Sequence, residues 1–316
     1  MKKTLISLLT LSLFLLLTVH ATGLAQGQGQ GAPEIISHKM NPHNPAAPTK
    51  GSTGTVTPAI TYHNGALINK PIIYYIWYGD WNQTNGSDNA GGQQILRDFA
   101  STVGFSPYYN INTTYSAGSY SITGNVLYGG QATIGYTNGK RLRDSDILSI
   151  VNTTISNGIL PFNADGIYFV LTSSDVTETS GFCTKYCGWH TSAQFQPGPQ
   201  RLRYSFVGNA NRCLSGCAAQ ASGPNGNAGV DGMVSIIAHE LEEAATDADP
   251  GSNPGWYDSA GAENADKCAW TFGQTLLTAP NGAFYNVTLG ARNYLIQRNL
   301  KHSTSGDTCN MSLMQQ

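Results

Sequence analysis

The chain has 316 residues, of which 40% are hydrophobic, 10% aromatic and only 11% charged. With 16 Tyr, 10 Phe and 5 Trp it carries too much aromatic surface for a disordered tail, and it is long enough to bury a sizeable core. A net charge of 17 − 19 = −2 leaves no basic excess for nucleic acid or anionic lipid.

Lys2 and Lys3 precede an apolar run from Leu5 to Val19, and Gly23 and Ala25 stand at −3 and −1 of a cut before Gln26. Residues 1–25 therefore read as a secretory signal peptide. Its apolar core is shorter than the roughly 20 residues a bilayer span needs, so the mature chain is expected to be secreted, extracellular and off the membrane. Residues 26–55 are dominated by Gly, Gln, Pro and Ser and read as a flexible leader. One domain is expected over 56–316.

Within that domain Pro71–Tyr78 is a β-branched and aromatic run that fits a buried strand. Gln93–Val103 places Ile95, Leu96, Phe99 and Val103 at helical spacing. Ser116–Tyr128 reads as strand and turn, and Asp144–Ile155 as a helix with acidic residues in its first turn. Gly166–Thr172 is the clearest central strand, and Tyr204–Val207 is another short one. This alternation predicts an α/β or α+β fold, a mixed sheet with flanking helices. No G-x-S-x-G elbow, Walker motif or dinucleotide glycine motif is present.

The stretch Val230–Ala248, VDGMVSIIAHELEEAATDA, has an apolar face at helical spacing, with Asp231 as its expected N-cap. It carries His239-Glu240-Leu241-Glu242-Glu243, an H-E-x-x-E pattern. Residues i and i+4 share a helical face, so His239 and Glu243 can grip one metal, a nitrogen and an oxygen that suit zinc. Glu240 then stands where the related H-E-x-x-H arrangement has its general base. A solvated acidic face is the bland alternative. Against it, eight of the 19 acidic residues crowd into 240–266 with only Lys267 nearby in opposition, so the carboxylates repel unless a cation or protons neutralise them. Glu263 is the expected third ligand and Asp258 its alternative, with Asp266 placed to orient His239 through its second ring nitrogen. An all-oxygen subset of Asp247, Asp249 and Asp258 would suit calcium instead.

Six cysteines, Cys183, Cys187, Cys213, Cys217, Cys268 and Cys309, fit disulfides in an oxidising destination, with a thiolate zinc site as the alternative. Nearest-neighbour pairing is the simplest of 15 connectivities.

Four stretches, Tyr62–Tyr78, Val170–His190, Phe206–Cys217 and Gly229–Met233, resemble the phosphate-induced/EXORDIUM family of secreted proteins. The resemblance implies an extracellular protein, linked in plants to growth and brassinosteroid response, without an assigned biochemical activity. The helix departs from the plant pattern, which is apolar and small there and lacks the His-Glu pair. SIIAHELEEAATDADP is similar to microbial members and to a zinc-peptidase helix whose second His has become Glu, which implies a zincin-like domain. His190, after Cys187-Gly188-Trp189, reads first as a structural or substrate-contacting residue and second as a further metal ligand. The combined expectation is a zinc-dependent hydrolase for a peptide or cell-wall substrate. The competing one is a non-catalytic wall-associated protein with a structural metal.

Overall fold

The computed structural model describes residues 48–196 and 198–314; the signal peptide expected at 1–25 and most of the leader lie outside them. Eight elements carry the fold: strand β1 (Ile72–Tyr78), helix α1 (Ala90–Thr102), strand β2 (Leu127–Ile134), helix α2 (Asp144–Ser156), strands β3 (Gly166–Thr172), β4 (Gly188–Gln194) and β5 (Arg201–Gly208), and helix α3 (Ala228–Thr246). The strands form one mixed sheet in the order β2-β1-β3-β5-β4. β1, β2, β3 and β5 run parallel, and β4 alone is antiparallel, at the edge beside β5. The fold is thus a mixed α/β arrangement, as the alternating periods predicted.

Parallel central strands are covered on both faces and read as unbroken apolar runs. β3 is buried at every position and β1 at all but Ile72. The β1–α1–β2 and β2–α2–β3 connections run across the sheet in opposite senses, so the right-handed crossover rule puts α1 and α2 on opposite faces. In keeping with this, α1 packs on α3 while α2 lies against β3 and β5.

α3 is buried from Gly229 to Thr246. The sheet covers one side of it, and the other faces the 108–115 segment and the chain near 292–297. Asn227, not Asp231, caps its N-terminus by accepting the Val230 N–H. Asp231 lies inside the first turn, where its carboxylate accepts N–H groups from Asn225 and Asn227. Both are good capping residues, and which one caps depends on where the preceding turn, with Gly226 at φ +78°, delivers the chain.

Residues 49–55 contact the domain: Thr49 O accepts the Phe272 N–H, Ser52 O accepts from Arg298, and Thr55 bridges to Thr308. The nearest-neighbour cysteine pairing is corrected. The disulfides are Cys183–Cys213, Cys187–Cys217 and Cys268–Cys309, so only the last is a nearest-neighbour pair. Cys213 and Cys217 flank one helical turn, Leu214–Cys217, and point to the same side of it. They therefore bond across to the 183–187 loop rather than to each other, with Cα–Cα distances of 5.7 and 5.4 Å, inside the range a bridge accepts. Among the described residues no helix is long and apolar enough to cross a membrane.

Candidate metal site

α3 supplies the first donors. One turn apart on one helical face, His239 Nε2 and Glu243 Oε1 lie 3.0 Å apart. The short turn Asp266–Cys268 brings Asp266 Oδ1 to 3.6 Å from the same imidazole nitrogen. From the sheet, β4 delivers His190 against the other side of Glu243. His190 Nδ1 is 3.3 Å from Glu240 Oε2 and 3.8 Å from Glu243 Oε2. Its Nε2 is 3.2 Å from the backbone oxygen of Asp247 and 3.9 Å from Glu263 Oε1. Two donor groups result, His190–Glu243–Glu263 and His239–Glu243–Asp266, each with its ligand atoms within 4.8 Å of one another.

The structure thus brings together His239, Glu240, Glu243, Glu263, Asp266 and His190, but distributes them differently from the sequence expectation. Glu263 faces His190, not His239. Asp266 does not sit behind His239 on its second nitrogen; it shares Nε2 with Glu243, and Nδ1 is contacted instead by the Gln297 amide. Asp258 lies apart from the cluster, its carboxylate held by Lys267 and by the N–H groups of Ala260 and Ala262. Asp249 is paired with Arg203 at 2.9 Å, and Asp247 accepts the Gly255 N–H, so the all-oxygen calcium set is pulled into separate contacts. Gln297 was not singled out from the sequence: it stands 58 residues after His239, with no local pattern linking the two.

Burial sets the electrostatics. His190, His239, Glu240, Glu243 and Glu263 are all at most 2% exposed. Desolvation pushes the His190 imidazole below its ordinary range, against the opposing pull of Glu243 and Asp247, which favours the neutral ring. Desolvation raises Glu240 to about 8, with His239 opposing and Asp266 adding to the rise. Glu243 and Glu263 are pushed well above the carboxylate range by burial and then by neighbouring carboxylates. Glu240 Oε1, Glu243 Oε2 and both oxygens of Glu263 are buried without a hydrogen-bond donor. Uncompensated buried acceptors are costly, and a cation among them would remove that cost. The donor chemistry, imidazole with carboxylate, fits zinc better than calcium. Glu242 belongs to a different contact, on another side of the helix, where Tyr108 donates to its Oε2.

A family described as "Phosphate-induced protein 1 conserved region" matches residues 60–310. The chain is similar to Protein EXORDIUM-like 3 of Arabidopsis thaliana, 30% identical over 298 residues covering 81% of this chain and 84% of the relative. It is likewise similar to Protein PHOSPHATE-INDUCED 1 of Nicotiana tabacum, 27% identical over 292 residues covering 79% and 87%. No solved structure matches the chain.

Proposed function

The chain belongs to the phosphate-induced protein 1 family, and on that premise we propose that it is an extracellular zinc-dependent hydrolase acting on peptides. The observation that carries this reading is the convergence of two imidazoles and several carboxylates from β4, α3 and the 263–266 segment, in a buried volume where carboxylate oxygens lack donors. Of these, His239, Glu243 and Asp266 would hold the metal, with His190 and Glu263 on the other side of Glu243. Zinc bound there supplies a Lewis acid for a carbonyl and makes a water far more acidic, toward a pKa of about 7.

The chain's own groups do the rest. Glu240 stands beside His190 and is raised by burial to about 8, so it accepts and returns a proton near neutral pH. The zincin-like part of the reading is supported by the antiparallel strand β4 at the sheet edge beside α3. An extended peptide adding to the outer edge of β4 would run past His190. Three disulfides support an oxidising, extracellular destination.

The test is metal analysis of the mature protein prepared without chelators, with a mixed-peptide digest read by mass spectrometry. Zinc that is lost in His239→Ala, together with cleavage abolished by chelation, is the expected result. Absence of any divalent metal sinks the reading, and cleavage that survives chelation sinks its catalytic part. A second reading, a non-catalytic metal clamp, is favoured by burial: Asp266, with its side chain 18% exposed, is the most accessible member of the two donor groups. Four protein ligands by X-ray absorption identify the clamp; three and a water identify the catalyst.

A further inference from the structure

The two oxygens of Glu243 face different imidazoles. Oε1 is 3.0 Å from His239 Nε2, and Oε2 is 3.8 Å from His190 Nδ1. We infer that the cluster holds two divalent cations with Glu243 as the carboxylate between them, one at His239–Glu243–Asp266 and one at His190–Glu243–Glu263. This deepens the metal-dependent reading above and rests on it.

Hydrogen bonding behind each ring points its lone pair the right way. The backbone oxygen of Asp247, 3.2 Å from His190 Nε2, can only accept. Nε2 therefore carries the proton of the neutral ring, and Nδ1 turns its lone pair toward Glu240 and Glu243. An imidazole N–H on a backbone carbonyl is the usual support of a metal-binding histidine. For His239 the support is Gln297, whose amide contacts Nδ1 and whose Oε1 is buried without a partner. Amide oxygen and nitrogen exchange places by a half-turn. With the oxygen toward the ring, Nδ1–H donates to it and Nε2 directs its lone pair at Glu243 and Asp266.

A lone pair aimed at carboxylates is repulsive unless something positive lies between. Glu240, Glu243, Glu263 and Asp266 carry four negative charges when ionised. Among the described residues the nearby cations are engaged elsewhere, Lys267 by Asp258 and Arg203 by Asp249. One dication leaves two of those charges uncompensated, and two dications balance them. Glu243 Oε2 and both Glu263 oxygens, buried and without donors, are aimed into the His190 side of the cluster. Paired cations sharing ligands at about 3.5–4 Å are the arrangement of two-metal hydrolases, where both the attacking and the leaving oxygen are stabilised.

The experiment is a Co²⁺ titration of the chelator-stripped mature protein, with bound metal counted after desalting, and a parallel Mn²⁺ loading read by electron paramagnetic resonance. Wild type should take up two equivalents and give the exchange-coupled signal of a bridged Mn²⁺ pair. Asp266→Asn and Glu263→Gln should each retain one equivalent and lose the coupling. One equivalent in wild type overturns the bridge while leaving the single-metal reading intact, and none overturns both. Two equivalents without coupling, or unchanged uptake in both variants, overturn the assignment of Glu243 as the bridge. The wild-type count and coupling decide the matter even if a variant fails to fold.

Discussion

Gly188 of β4 lies so close to Ile236 of α3 that a methyl group at position 188 would stand 2.6 Å from the Ile236 Cγ2 and 2.9 Å from the backbone oxygen of Phe206. This approach sets the separation between strand and helix, and His190 is two residues further along the same strand. The distance from β4 to α3 therefore becomes the distance from His190 to Glu240 and Glu243.

Gly188→Ala should accordingly push strand and helix apart. Overpacking of this kind costs about 1–3 kcal/mol, and in a domain of this size each kcal/mol lowers the melting temperature by about 2–4 °C. Metal affinity should fall with stability, because the His190 donors retreat from Glu243. Removing the obstructing Cγ2 in Gly188→Ala/Ile236→Leu, which keeps the side-chain volume, should recover part of both losses. Thermal melts and chelator competition measure them, and an alanine variant as stable and as metal-avid as wild type contradicts the spacing argument.

Glu240→Gln tests the proton carrier. The amide keeps size and hydrogen-bonding capacity while removing the proton acceptor. Hydrolysis should drop by about 10²–10⁴-fold, with the thermal melt nearly unchanged and zinc retained. Equal cleavage by wild type and variant removes Glu240 from the mechanism.

The parallel bridges Cys183–Cys213 and Cys187–Cys217 join the same two segments, each across 30 residues. Closing a loop of that length constrains the unfolded chain by about 3–4 kcal/mol. Once one bridge has closed it, the second closes only the short ring of about ten residues between the bridges and adds about 2.5 kcal/mol. Removing either pair alone should therefore cost less than half of the cost of removing both. Urea denaturation of the two double-serine variants and the quadruple variant measures this. Additive losses would show that each bridge acts through its own local contacts.

Asp231 gives the pH dependence. Burial pushes its carboxyl up to about 6, although Asn225 and Asn227 N–H groups oppose the rise. In the unfolded chain it titrates near 3.9, so between about pH 4 and pH 6 the folded state binds more protons. Stability from this group is full below pH 4 and is lost as pH rises toward 6. Asp231→Asn, which keeps an oxygen for the backbone N–H groups, should remove that slope and gain on wild type at pH 7. Denaturant midpoints of the two proteins at pH 4, 5, 6 and 7 check this, and parallel profiles would refute it.

What the sequence determined by itself was everything governed by short-range periodicity. The continuous apolar runs at Ile72–Tyr78 and Gly166–Thr172 fit covered strands, and the HELEE helix had to put His239 and Glu243 on one face because 3.6 residues make a turn. The crowding of acidic residues from 240 to 266 with almost no opposing charge already demanded a cation or protons. Tertiary structure alone decided which distant groups complete the site. His190 is 50 residues from Glu240, and it arrives only because β4 turns back antiparallel at the edge of the sheet, beside α3. Gln297 reaches His239 because the chain after the helix packs along its far side. The same holds for the cysteines: spacing shows which of them lie near each other along the chain, but a bridge forms between sulfurs that packing brings face to face. That packing is the summed outcome of burying a whole core, a long-range quantity that no local window of residues contains.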